Sequence, residues 1–259
     1  TQVDALLCCP TPWGTPLYRS EVDPKWQDEA PKQTEPPGEA DWKFYEKVYY
    51  RIRRYMLAGN EDPVQITADA AREIGVDFFL SYRMNDRHFV NIPDCPTHSS
   101  FWRSRRDLHL DPGGSQWNYL EPEVRRWYLA LLDELVERYD IDGLEVDFMR
   151  SPRFFPSDRI EEGRAVMNEL IRSIRRRLDH LSSSRGKPVR LGVRIPAQYD
   201  LCRKVGLEPE TWAREGLIDM ANLAPRLRNT VEVDVGRYRR QLPDVAVYGE
   251  MHFITQDGA

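Results

Sequence analysis

Short apolar runs alternate along the chain with longer stretches whose apolar residues recur every three or four positions. The runs VDALLCC (3–9), VDFFLSYR (76–83), GLEVDFM (143–149), VRLGVRI (189–195), IDMANLA (218–224) and VAVYGEMHF (245–253) predict strands. Between them ITADAAREIG (66–75), PEVRRWYLALLDELVERY (122–139), RIEEGRAVMNELIRSIRRRLDHL (159–181), EPETWAREG (208–216) and VEVDVGRYRRQL (231–242) predict helices. In the second of these, Val124, Trp127, Leu131, Leu135 and Val136 fall on one face; in the third, Ile160, Val166, Leu170, Ile174 and Leu178 do. Gly216 reads as a helix C-cap. A glycine or aspartate precedes several strands, as in IGVDFFL, YDIDGLEV and EGLIDMA.

Six strands separated by helices imply parallel pairing through right-handed crossovers. An open doubly wound sheet and a (β/α)8 barrel both fit that order. No GxGxxG or P-loop pattern follows a strand, so the usual nucleotide signature of open sheets is missing and no cofactor is expected. Polar residues gather instead at the C-terminal ends of the strands: Arg83, Asn85 and Asp86; Asp147 and Arg150; Arg194; Asn222; Glu250 and His252. Strand ends converge on one face in a barrel, which favours an α/β fold of the (β/α)8 TIM-barrel type. Six visible strands out of eight make that barrel incomplete, one domain over residues 1–259 with a strand missing at either end.

Composition narrows the function classes. The 259 residues are 41% hydrophobic and 31% charged, with a formal net charge of -5, which argues against general nucleic-acid binding. No apolar run approaches the ~18 residues of a membrane span. Cys8, Cys9, Cys95 and Cys202 form no CxxC pair, and the three histidines of residues 86–120 show no HxH or HExxH spacing, so no metal is expected. Residues 19–45 read as a long Pro-rich surface loop, and residues 86–120 as a long substrate-facing loop rich in His, Arg and aromatic residues. The chain opens on Thr1 without a charged or apolar leader pattern, and its compartment stays open.

The stretch DGLEVDFMR (142–150) carries the chemistry. Alternation places Glu145, Asp147 and Met149 on one face and Leu144, Val146 and Phe148 on the other. In a barrel the apolar face meets the helices and the acids point inward, with Asp147 at the mouth and Glu145 one layer deeper. A buried carboxylate needs a partner, and Arg194 on the next strand has the right parity. Cleaving a glycoside takes two carboxyl groups flanking the bond, and Glu250 supplies a second one from another strand. Asn85, Asp86, His88 and Asn222 suit sugar hydroxyls. Arg83, Arg150 and Arg194 suit a carboxylate or sulfate. Trp102 and Trp117 can stack on sugar rings or anchor the loop that bears them, and His252 can line the site.

Two segments resemble a known group. YDIDGLEVDFMRSPRFF (139–155), preceded by PEVRRWYLALLDELVERY, resembles the fourth-strand region of glycoside-hydrolase-like barrels, and more narrowly the bacterial family 10 glycosyl hydrolase-like group. SYRMNDRHF (81–89), followed by FWR (101–103), is similar to a segment of the same group. The resemblance covers residues 64–253 and implies a carbohydrate-active barrel, with carbohydrate as its partner. It makes the visible strands the second to seventh. In the large retaining clan on this fold the resemblance would place the acid/base on strand four, where the clan has an Asn-Glu pair, and the nucleophile on strand seven; here strand four ends in Val146 and Asp147, so roles within the set Asp147, Glu250 and Glu145 stay open. A metal-dependent sugar isomerase or epimerase using Glu145, Asp147, Glu250 and His252 around a divalent ion, and a non-catalytic carbohydrate-binding barrel, are the rival classes.

Overall fold

The computed structural model describes residues 3–24, 41–59, 62–93, 95, 97–114, 116–225 and 233–250, with the backbone alone for 41–46. The strands are β1 (Ala5–Cys8), β2 (Asp77–Arg83), β3 (Gly143–Asp147), β4 (Arg190–Pro196), β5 (Met220–Ala224) and β6 (Ala246–Gly249). The helices are α1 (Asp41–Gly59), α2 (Pro63–Ile74), α3 (Ser100–Ser104), α4 (Pro122–Arg138), α5 (Ile160–Arg185), α6 (Tyr199–Lys204), α7 (Pro209–Arg214) and α8 (Val235–Gln241). All six predicted strands and the cores of all five predicted helices are present. The helix expected over 231–242 starts at Val235, and the strand expected to reach residue 253 is described only to Gly249. The expected 19–45 loop is shorter than its sequence suggests, because α1 already begins at Asp41; residues 25–40 lie outside the described residues.

The strands form one parallel sheet in the order β1-β2-β3-β4-β5-β6. Every strand pairs with its sequence neighbours and the order never reverses. A doubly wound sheet reverses at its switch point. The chain instead advances always in one direction, as successive βα units of a (β/α)8 barrel do. Among the described residues β1 and β6 do not pair, so six of eight units are present.

The helices are laid against the outer face of the sheet by their apolar stripes. α4 buries Val124, Tyr128, Leu131, Leu132, Leu135 and Val136, and α5 buries Met167, Leu170, Ile171, Ile174 and Leu178. Opposite them stand Leu144, Val146, Leu191 and Val193, all fully buried. Each such aliphatic side chain contributes about 1.5–3 kcal/mol by leaving water. Helix ends are set locally. Asp62 accepts from the Val64 and Gln65 amides at 2.9 and 3.3 Å, Pro63 opens α2, and Gly75, at φ 70°, ends it in the left-handed conformation.

The Asp-before-strand pattern has a structural role at the N-terminal face. Asp142 accepts from the Phe78 amide at 2.9 Å, and Asp219 accepts from the Leu191 amide at 2.7 Å. Each aspartate thus satisfies a backbone N–H of the preceding strand and fixes the register there.

Candidate active site

Parallel register stacks the inward residues into layers. Ser81 lies opposite Glu145, Arg83 opposite Asp147, Asp147 opposite Arg194, Arg194 opposite Asn222 and Asn222 opposite Tyr248. Beneath this polar layer the lumen has an apolar floor. The Phe79 ring occupies the space a side chain at Gly143 would need, and a Cβ at Gly192 would sit 2.7 Å from Met220 Cγ. The two glycines therefore allow the floor to pack closely.

Above it opens a cavity of about 530 Å3 lined by Leu7, Cys9, Ser81, Arg83, Glu145, Asp147, Arg150, Arg194, Asn222, Tyr248, Gly249 and Glu250. Glu145 is 2% exposed and Asp147 4%. Glu145 accepts from Ser81 Oγ at 2.6 Å and from Asn222 Nδ2. Burial pushes its carboxyl above the ordinary glutamate value, against the hydrogen bonds from Ser81 and Asn222; the nearby Asp147 charge pushes the same way. Arg194 does not pair with Glu145 as the sequence suggested. Its Nε and NH2 donate to Glu250 at 2.9 Å each, and its NH1 donates to Asp147 Oδ1 at 2.9 Å. Burial works against the Arg194 charge, but the two carboxylates outweigh it and raise the guanidinium above its usual value.

The strand stops sooner than expected at the acid. Asp147 Oδ1 also accepts from the Met149 amide at 2.8 Å, and this turn takes Met149 out of the ladder. The same oxygen thus caps the turn and meets Arg194. Cys9, the lining thiol, is held up at about 11 by burial, which makes it a poor nucleophile.

Seven sequence-named residues converge on the cavity: Arg83, Glu145, Asp147, Arg150, Arg194, Asn222 and Glu250. Five others do not line it: Asn85, Asp86, His88, Trp102 and Trp117, the last buried in its loop. Asn85 braces the long loop, donating to the Arg153 carbonyl at 2.8 Å and accepting from the Trp117 amide at 2.9 Å. Asp86 accepts from His88 Nδ1 at 2.7 Å, and His88 Nε2 lies 2.6 Å from Arg150 NH2. Trp102 is 6% exposed and stacks on His98 with ring centroids 3.7 Å apart, which makes it an anchor of its loop. His252 lies outside the described residues. Among the described residues no group of three His, Cys, Asp or Glu side chains is placed to hold a metal ion.

Ser81 and Tyr248 were missed. The signal for both was parity: each stands two residues before a named site residue, Arg83 and Glu250, on the same face of its strand.

No family model matches the chain, and no curated protein matches it. Solved structures with some likeness include a family GH18 chitinase from Chromobacterium violaceum, at 16% identity and a TM-score of 0.44, covering 63% of this chain and 24% of that one. A cell-surface chitinase from a Paenibacillus species matches at 18% identity and a TM-score of 0.43, covering 73% of this chain and 18% of that one. A chitinase from Rhizomucor miehei matches at 14% and 0.39, covering 85% and 50%. The chain thus spans half or less of the length of each. The barrel plan rests on the strand order given above, and at these scores the likeness does not extend to activity. The narrower resemblance to the family 10 glycosyl hydrolase-like group gains no support from these comparisons. No described helix is long and apolar enough to cross a membrane.

Proposed function

We propose that the protein is a glycoside hydrolase that cleaves a glycan with two carboxyl groups of β3, supported by Arg194 and by Glu250 at the end of β6. The observation that supports this most is the convergence of three carboxyls in one cavity under unlike conditions. Glu145 is desolvated and pushed toward its protonated form, while Asp147 and Glu250 meet a guanidinium. Glycoside hydrolysis needs that division, one carboxyl holding a proton for the leaving oxygen and another anionic beside the anomeric carbon. The sequence pairs Asp147 with Glu250, but both engage Arg194, so the proton donor is better sought at Glu145. Asp147, at the mouth, is then the anion, with Glu250 holding Arg194 in place. Bond cleavage transfers the Glu145 proton to the glycosidic oxygen, and water restores it after attacking the sugar. The narrower family 10 likeness is not needed for this reading.

Turnover of a panel of chromogenic glycosides and polysaccharides tests it. Asp147→Asn and Glu145→Gln should each lower kcat by about 10^2-fold or more. Variants that match the parent's turnover on a cleaved substrate would sink the assignment. One observation favours a second reading, a carbohydrate-binding barrel without turnover: Arg194 already satisfies both mouth carboxylates. That reading is supported if the parent binds glycans without cleaving any of them and Asp147→Asn binds equally well.

A further inference from the structure

Three arginines reach the cavity, and their surroundings differ. All three guanidinium nitrogens of Arg194 are engaged by Asp147 and Glu250. Arg83 donates through NH1 to the Pro12 carbonyl and lies 3.7 Å from Asp86 Oδ2 and 3.9 Å from Asp147 Oδ2. Both charges are balanced from within the protein.

Arg150 is different. It is exposed to solvent at the mouth. Its NH2 meets His88 Nε2 at 2.6 Å, and among the described residues no carboxylate pairs with it. An arginine can only donate, so Nε2 accepts and the ring hydrogen sits on Nδ1, which donates to Asp86 Oδ1 at 2.7 Å. The Asp86–His88 pair therefore orients the guanidinium through a neutral acceptor and leaves its charge uncompensated. Arg150 is exposed and lines the cavity, and among the described residues its one hydrogen bond is to His88, so the rest of the fork is left to receive a planar or tetrahedral oxyanion.

We infer that Arg150 is a specificity residue for an anionic substituent, a carboxylate or sulfate group, on the ligand that enters this cavity, with His88 as its positioning residue. The inference rests on the carbohydrate reading above and narrows it to acidic glycans. Its physical basis is that a pre-oriented, solvent-facing cation beside a charge-balanced cavity gains more from an anionic ligand than from a neutral one.

Calorimetric titration of the whole chain with tetragalacturonate, a sulfated chondroitin tetrasaccharide and neutral chitotetraose tests this. The parent should bind at least one acidic oligosaccharide more tightly than chitotetraose, with affinity falling as salt rises. Arg150→Gln should weaken that acidic ligand by about tenfold or more while leaving chitotetraose binding unchanged. Arg150→Lys, which keeps the charge and loses the fork, should fall between the two. His88→Ala should weaken the acidic ligand severalfold and reduce the Lys–Arg difference, which loss of structure alone would not do. The acidic ligand that responds identifies the group as carboxylate or sulfate.

An equal loss for acidic and neutral ligands, or a parent that prefers chitotetraose, overturns the role of Arg150 and leaves the carbohydrate reading standing. Failure to bind or cleave any of the three, together with inactivity across the glycoside panel, removes the carbohydrate reading and this inference with it.

Discussion

Glu145 is a carboxyl whose surroundings disfavour its charge, and that has a consequence for stability against pH. Its folded-state value lies above its unfolded one, chiefly through burial. As pH rises past the ordinary glutamate range the unfolded chain releases a proton that the native state still holds, so stability falls across that window and stays lower above it. Below that range both states are protonated and the contribution vanishes. Glu145→Gln, whose amide can donate to Ser81 Oγ and accept from Asn222, should melt higher than the parent at neutral pH, with the difference shrinking in acid. Thermal melts from acid to neutral pH check this, and a constant offset would refute it. Asn85 makes a second prediction. Replacing it with Ala strands the Trp117 amide and the Arg153 carbonyl, and should cost about 1–3 kcal/mol in urea unfolding. The sequence marks Asn85 as a ligand contact because it follows a strand end. Nothing in its local pattern shows that residues 117 and 153 come back to it, since both contacts depend on how the long loop folds.

At the scale of elements, what could be read from the chain was what repeats. The apolar runs and the three-to-four spacing of α4 and α5 exposed the alternation of strands and helices, and side-chain parity put Glu145, Asp147 and Arg194 on the lumen side. The short α3 and α6 have too few turns to show a period, and α1 starts within a stretch that reads as polar loop. Charge partnerships were also beyond the pattern. Arg194 has the parity to meet Glu145, Asp147 or Glu250, and only the stagger of neighbouring strands decides among them. The glycine floor gives an element-level test. A methyl at position 143 must displace the Phe79 ring, so Gly143→Ala should lose about 1–3 kcal/mol by overpacking. Gly113 is the control: it carries a positive φ with nothing within 4 Å, so its Ala variant strains only a surface turn and leaves the cavity intact. Comparable loss of glycan binding in both variants would argue against a floor that shapes the site.

For the whole molecule, Arg194 ties together parts of the chain far apart in sequence. Its partners lie 47 residues before it and 56 after it, and it joins β3 and β4 to the end of β6. Arg194→Met removes the cation that both carboxylates share, which should cost about 3–5 kcal/mol at neutral pH. Acid that protonates them should recover part of that loss, and paired melts of parent and variant at the two pH values decide it. The same link sets an order of assembly. A ribosome delivers Asp147, then Arg194, and Glu250 last of the three, so Arg194 has only the first of its two carboxylates until the end of β6 emerges. The centre thus reaches its finished charge balance only once the end of β6 has emerged, and a nascent chain stalled before that point should hold oligosaccharides differently from one stalled beyond it.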